Sequence, residues 1–247
     1  MAQRVVGGVR VGRHLTRYAR RQTTRTLAKY DTVSIDVELE PEMSVSMVQT
    51  RDTYALLDRL IEQEEAGTAR VTRFPYWAEI WPAAVGLSRW FVQHAPESTS
   101  VDIRELGCGL GLVGVALARS GWRVEATDYV EDALVLAAHN ARSNGVAEYR
   151  HRVAYLDWSH PVGEVCDCLV ASDVAYEKTL HPYLLRTLRQ LLRPGGRLYL
   201  SDPRRPAAQP LFEALRDLGY EHERHTVDVE WQSLTHQIDI HRLRKPE

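Results

Sequence analysis

The chain has 247 residues, 44% hydrophobic and 26% charged, with 31 Lys and Arg against 33 Asp and Glu and a formal charge of −2. That balance excludes disorder, a collagen repeat and a membrane bundle, and it supplies no global pull toward nucleic acid or anionic lipid. Cys108, Cys166 and Cys168 are too few and too closely spaced for a disulfide framework or a zinc site, so a reducing, cytoplasmic setting without a metal is expected. No apolar run approaches the roughly 20 residues that span a bilayer, and the start lacks a signal-peptide core.

In chain order, Arg4, Arg10, Arg13, Arg17, Arg20, Arg21, Arg25 and Lys29 all precede the first acid, Asp31. Such a run reads as a solvated or interaction helix, with a transit segment as the alternative. Residues 33–39 alternate like a strand, 53–65 carry a helical pattern, and a helix opens after Pro82. Residues 1–73 therefore read as a basic helical and strand extension ahead of a body at 74–247.

From residue 101 onward, β-rich and helical runs alternate. Strands are expected at 101–106, 123–127, 149–154, 168–171 and 197–201, with helices at 112–120, 131–143, around Leu184, Leu188 and Leu191 until Pro194, and at 210–218. This is the rhythm of a parallel sheet covered by helices. Residues 221–229 and 234–243 break it, because two strands joined by so short a turn must be antiparallel. The expected fold is α/β: a Rossmann-like, seven-stranded, mostly parallel sheet ending in an antiparallel hairpin.

Glu105, Leu106, Gly107, Cys108, Gly109, Leu110 and Gly111 stand where the first sheet strand turns into its helix. Glycines there allow a sharp turn and close approach of a ligand. The loop reads both as ExGxGxG and, through Gly114, as GxGxxG, so by itself it suits S-adenosylmethionine or a nicotinamide dinucleotide. Asp128, ending the second strand, offers an acceptor to the ribose diol of either. Asp157 and Trp158 follow the third strand, where an adenine finds a π face and an acceptor for its amino group. Ser172, Asp173 and Tyr176 follow the fourth, and Asp202, Pro203 and Arg204 follow the fifth, either bordering an acceptor site or forming a simple turn.

With the stretch WAEIWPA (77–83), the loop ELGCGLG, the triplet LDW and the segment SDVAY, the chain resembles the class I, seven-strand S-adenosylmethionine-dependent methyltransferases. More narrowly, it is similar to the protein-lysine methyltransferases with a (D/E)xx(Y/F) motif. The resemblance spans about 74–247. It implies cofactor contacts by Trp81, Gly107, Gly109, Asp128, Trp158 and Ser172, and a substrate that is a protein lysine or else a small-molecule amine. Asp173 and Tyr176 are then expected to orient the acceptor amine and ease loss of its proton. A nicotinamide-dependent oxidoreductase and an inactive binding module are the rival classes, and the absence of a (D/N/S)PP(Y/F) sequence disfavours a nucleic-acid base as substrate.

Overall fold

The computed structural model describes residues 22–67, 74–94 and 102–247. Most of the basic start, through Arg21, and Val101 lie outside the described residues. Helix α1 (residues 22–29) is followed by β1 (Thr32–Glu40), β2 (Met43–Thr50), α2 (Thr53–Glu65) and α3 (Pro82–Gln93). The body then runs β3 (Asp102–Leu106), α4 (Leu112–Arg119), β4 (Arg123–Asp128), α5 (Glu131–Ser143), β5 (His151–Tyr155) and β6 (Cys166–Ser172). It closes with α6 (His181–Leu191), β7 (Leu192–Asp202), α7 (Gln209–Asp217), β8 (Glu221–Trp231) and β9 (Leu234–Arg244).

Seven strands form one sheet in the order β5-β4-β3-β6-β7-β9-β8. β3 to β7 are mutually parallel, and β9 pairs antiparallel with both β7 and β8. The β8–β9 turn is made by Gln232 and Ser233 at φ 50° and 64°, the pair of left-handed residues that matches the natural twist of a two-residue hairpin. β6 starts two residues earlier than the apolar run suggests. β7 starts at Leu192, so Pro194, Gly195 and Gly196 lie inside an irregular strand rather than in a helix stop.

Apolar clusters form on both faces of the sheet. On one, α3 and α4 bury Val85, Leu87, Val115 and Leu117 against Ile103, Val124 and Val170. On the other, Leu184, Leu188 and Leu191 of α6 and Leu211 and Leu215 of α7 pack on Leu169, Leu198 and Leu200. Each such leucine contributes roughly 1.5–3 kcal/mol by leaving water. The spacing of the α6 leucines is the 3–4 residue repeat visible in the sequence.

β2 is the element that sequence reasoning missed. It pairs antiparallel with β1, Val37 facing Val45 and Ile35 facing Met47. Val37, Leu39, Val45 and Met47 belong to the same apolar cluster as α3 and α4. Asn140 of α5 ties the hairpin down, donating to Val48 O at 3.2 Å and accepting from Val48 N at 2.8 Å.

Candidate active site

The sheet order reverses between β3 and β6: from β3 the chain moves to one side through β4 and β5, then returns to the other side at β6. Crevices at such a switch point, outside the carboxyl ends of the strands, bind ligands in open α/β sheets. A cavity of about 830 Å³ opens there, lined by the segments that follow β3, β4, β5, β6 and β7 and by Phe74 to Trp81. That volume is within the range of small-molecule and cofactor pockets, about 300–1,000 Å³.

The glycine loop forms the floor. Gly107 and Gly109 adopt φ 66° and 51°, a left-handed backbone that side chains resist. A Cβ on Gly107 would lie 3.1 Å from Val174 and 3.4 Å from the Trp158 ring, and one on Gly109 would lie 3.3 Å from the Trp77 carbonyl. Gly111 serves helix packing instead, because its missing Cβ leaves room for Ala137 of α5, 2.8 Å from where that atom would stand. Glu105, Gly107, Cys108, Gly109, Asp128, Asp157, Trp158, Ser172, Asp173, Tyr176 and Trp81 all line the cavity, and Gly111 does not.

Asp128 is buried at the end of β4, and its oxygens accept backbone bonds from Gly109 N at 3.0 Å and from Val130 N at 2.9 Å, with a further one from Tyr129. Burial raises its pKa while these backbone bonds oppose the rise. The two oxygens together offer about four lone pairs, so with the third backbone bond, from Tyr129, one remains for a ligand hydroxyl. Asp157 accepts from Ser159 N and Oγ at 2.8 and 2.7 Å, which holds the turn that presents Trp158. Cys108 is a neutral thiol, its pKa pushed well up by burial and then by Asp128 and Glu105; it packs with Ala126, Leu134 and Ala137.

Glu105 is buried beneath α4. Burial pushes its pKa up to about 8, against a backbone bond from Gly114. Among the described residues, its Oε2 and the Nε2 of His151 have no hydrogen-bond partner, and both stand 2.8 Å from the position a Gly114 Cβ would take. The folded protein therefore holds a Glu105 proton that an unfolded chain releases near 4.5, a stabilisation complete below that pH and lost as pH rises through about 8. His151 and His241, pushed down to about 4 by burial, and Asp202, pushed up to about 6 by burial, act below pH 6.5. The Glu105 contribution is thus expected to lower stability between pH 6.5 and 8 by up to about 1.4 kcal/mol per pH unit. Glu105→Gln should flatten that slope in urea titrations, and an unchanged slope would show that Glu105 ionises normally.

At the other end of the cavity Asp173 has φ 51°. Arg205 grips it in a two-pronged pair, Nε to Oδ1 at 2.6 Å and Nη2 to Oδ2 at 2.7 Å. Asp202 accepts from Arg205 N at 2.6 Å and so sets the loop. Arg204, also at positive φ, turns away to Asp239 at 3.1 Å. The loop after β7 thus reaches the cavity through Arg205, Pro206 and Ala207 and not through Asp202, Pro203 or Arg204. Tyr176 lies against Tyr76, centroids 4.8 Å apart, and the Trp81 indole donates to Tyr76 O at 2.8 Å.

Sequence reasoning missed Tyr76, Trp77, Tyr129 and Arg205 in this lining. Tyr76 and Trp77 stand beside or in the WAEIWPA stretch, and Arg205 directly follows the turn of Asp202, Pro203 and Arg204. The residues were visible, but their directions were not.

The lysine methyltransferase family matches residues 71–216. The chain belongs to that family. EEF1A lysine methyltransferase 3 of Mus musculus is 35% identical over 148 residues, 56% of this chain and 61% of that protein. Protein N-lysine methyltransferase METTL21A of Xenopus tropicalis is 30% identical over 129 residues, 51% of this chain and 60% of that protein. The chain thus spans about three fifths of the length of these curated relatives. Among solved structures, magnesium protoporphyrin IX methyltransferase from Synechocystis PCC 6803 with bound SAM aligns at TM-score 0.54 and 18% identity. It covers 78% of this chain and 93% of that one, a shared fold. Among the described residues, no helix is long and apolar enough to cross a membrane and no His, Cys, Asp and Glu cluster could hold a metal.

Proposed function

We propose that the protein transfers a methyl group from S-adenosylmethionine to the side-chain amine of a lysine in a polypeptide. The observation that carries this reading is the single cavity wall running from the ribose-accepting Asp128, past Gly107 and Trp158, to Asp173 and Tyr176. The residues fit the cofactor: Asp128 keeps a lone pair for a ribose hydroxyl, and Trp158 offers the cavity a flat ring for an adenine. When bound, S-adenosylmethionine supplies a methyl group already activated by the positive charge on sulfur.

The chain's own residues supply alignment and a dry site. Trp81 and Tyr76 wall the cavity from the N-terminal side, and Ser172 continues that wall toward Asp173. The acceptor must arrive as the neutral amine, since a lysine has an ordinary pKa of about 10.4. Both Asp173 oxygens already accept from Arg205, so Asp173 orients the amine through its remaining lone pairs, and the released proton passes to water. Tyr176 and Tyr76 flank the amine's position with their rings, 4.8 Å apart between centroids.

A polypeptide acceptor is supported by a row of rings leading out of the cavity. Tyr176, Tyr76, Phe74 and Tyr54 follow one another at centroid distances of 4.8, 4.7 and 5.4 Å, ending at Tyr54, which is 73% exposed. Glu79 and Glu177 add acid to the same wall, complementary to a lysine-bearing segment. In this reading residues 74–247 are the transfer body, and residues 1–73 are the extension that selects the substrate.

Calorimetry with S-adenosylhomocysteine and with NAD tests the cofactor: binding of the first and not the second is expected. Tritiated-methyl labelling of a cell extract tests the acceptor, with a discrete protein band expected and a small soluble product overturning the polypeptide assignment. Cofactor binding should also quench tryptophan fluorescence, with most of the change lost in Trp158→Leu. A full quench in that variant would remove Trp158 from the adenine site.

A further inference from the structure

We propose that Tyr30, outside the segment matched by the family, is a positioning residue for the cofactor pocket: it fastens two of the pocket's walls to the N-terminal segment. The inference rests on the reading of the cavity as an S-adenosylmethionine site.

Two contacts define the device. The Tyr30 hydroxyl donates to Asp132 Oδ2 at 2.5 Å, and the Tyr30 ring meets Trp77 edge-on with centroids 5.3 Å apart. Asp132 lies in the first turn of α5, four residues after Asp128, so its position governs where Asp128, Tyr129 and Val130 enter the cavity. Lys29 and Thr26 reinforce the tie, donating to Asp132 at 2.6 and 3.3 Å. Trp77 also lines the cavity, its backbone lying over Gly109 so closely that a Cβ there would meet the Trp77 carbonyl at 3.3 Å. One side chain thus touches the element that carries the ribose acceptor and the residue that covers the glycine loop.

Tyr30 is itself only 7% exposed. Burial, then the bond to Asp132, keeps its phenol protonated and donating. Burial works against the Asp132 charge, but bonds from Lys29 and Tyr30 outweigh it and hold that carboxyl below its ordinary pKa. The tie is therefore intact throughout the neutral range. Loss of the tie leaves each wall free to sample other positions, and apparent affinity falls by the fraction of molecules that remain competent.

A separate contact between α1 and α5 provides the control. Arg142, near the C-terminal end of α5, donates to Thr23 Oγ1 at 3.1 Å, and neither residue lines the cavity. Thr23→Ala weakens the docking of α1 without touching the pocket walls. Full-length wild type, Tyr30→Phe, Tyr30→Leu and Thr23→Ala are compared by melting temperature, by calorimetry with S-adenosylhomocysteine and by amide hydrogen exchange of the cofactor-free protein.

Tyr30→Phe, which keeps the ring, should weaken binding about 3-fold, and Tyr30→Leu, which loses both contacts, about 10-fold or more. The Gly109 and Val130 amides, both bonded to Asp128, should exchange faster in the Tyr30 variants than in Thr23→Ala of equal melting temperature. Tyr30 variants that match Thr23→Ala in affinity and exchange would reduce Tyr30 to a core residue and overturn the proposal. If the wild type binds no S-adenosylhomocysteine, the cofactor reading fails by itself. The exchange rates then still decide whether Tyr30 holds the walls: faster exchange at Gly109 and Val130 supports it, and unchanged exchange overturns it.

Discussion

Gly107→Val is expected to lower the affinity for S-adenosylhomocysteine by about 10- to 100-fold, the 1–3 kcal/mol that overpacking a filled site costs. The position has φ 66°, and even a Cβ would stand 3.1 Å from Val174 and 3.4 Å from Trp158. A branched side chain must therefore enter the cavity or displace the ring proposed to carry the adenine. The left-handed backbone adds roughly 1–2 kcal/mol of strain, which appears as a lower melting temperature. Gly111→Ala separates the two effects. It meets Ala137 of α5 at 2.8 Å, away from the cavity, so it should lower the melting temperature with a smaller loss of affinity. Equal cofactor affinity in Gly107→Val and wild type would move the cofactor away from the glycine loop.

Asp173→Asn should lower turnover by about 10²–10⁴ while cofactor affinity changes little, the size of effect that an orienting or proton-handling group supplies. The substitution keeps the shape and removes the charge. It also leaves the Arg205 guanidinium one acceptor in place of the two it holds at 2.6 and 2.7 Å, so a lower melting temperature accompanies the loss. Arg205→Lys keeps the positive charge and loses the planar fork, and a smaller fall in turnover, about 10-fold, is expected because a point charge cannot hold both carboxylate oxygens. Single-turnover rates on a substrate found by labelling, set beside calorimetric affinity and melting temperature, decide the matter. If Asp173→Asn melts early but turns over normally per folded molecule, Asp173 is a structural residue and the acceptor site lies elsewhere.

The placement of the candidate residues around the cavity was largely legible in one dimension because it follows strand ends. Asp128, Trp158 and Asp173 each stand at the carboxyl end of a strand whose β-rich run is bounded by a helical one, and in a parallel sheet all such ends share an edge. Gly111 shows the limit of this reasoning. In the sequence it is equivalent to Gly107 and Gly109, yet its missing Cβ makes room for α5 instead of a ligand. Spacing cannot separate the two uses, because what distinguishes them is the position of Ala137, far along the chain from the loop.

Local periodicity and turn chemistry thus suffice for the alternation of strands and helices from β3 onward, for the antiparallel hairpin that follows and for the residues offered at the sheet edge. What those residues face is settled by tertiary contacts. Arg205 instead of Arg204 enters the cavity because Arg204 turns at φ 60° to reach Asp239. β2 alternates Val45 and Met47 with the exposed Ser44 and Ser46, but its pairing with β1 and the burial of Val45 and Met47 beside α3 and α4 come from tertiary contacts. Tyr30 acquires a partner 102 positions away in Asp132. Each of these depends on contacts between segments far apart in the chain, whose energies are fixed by packing and direction, and neither is written in the spacing of residues.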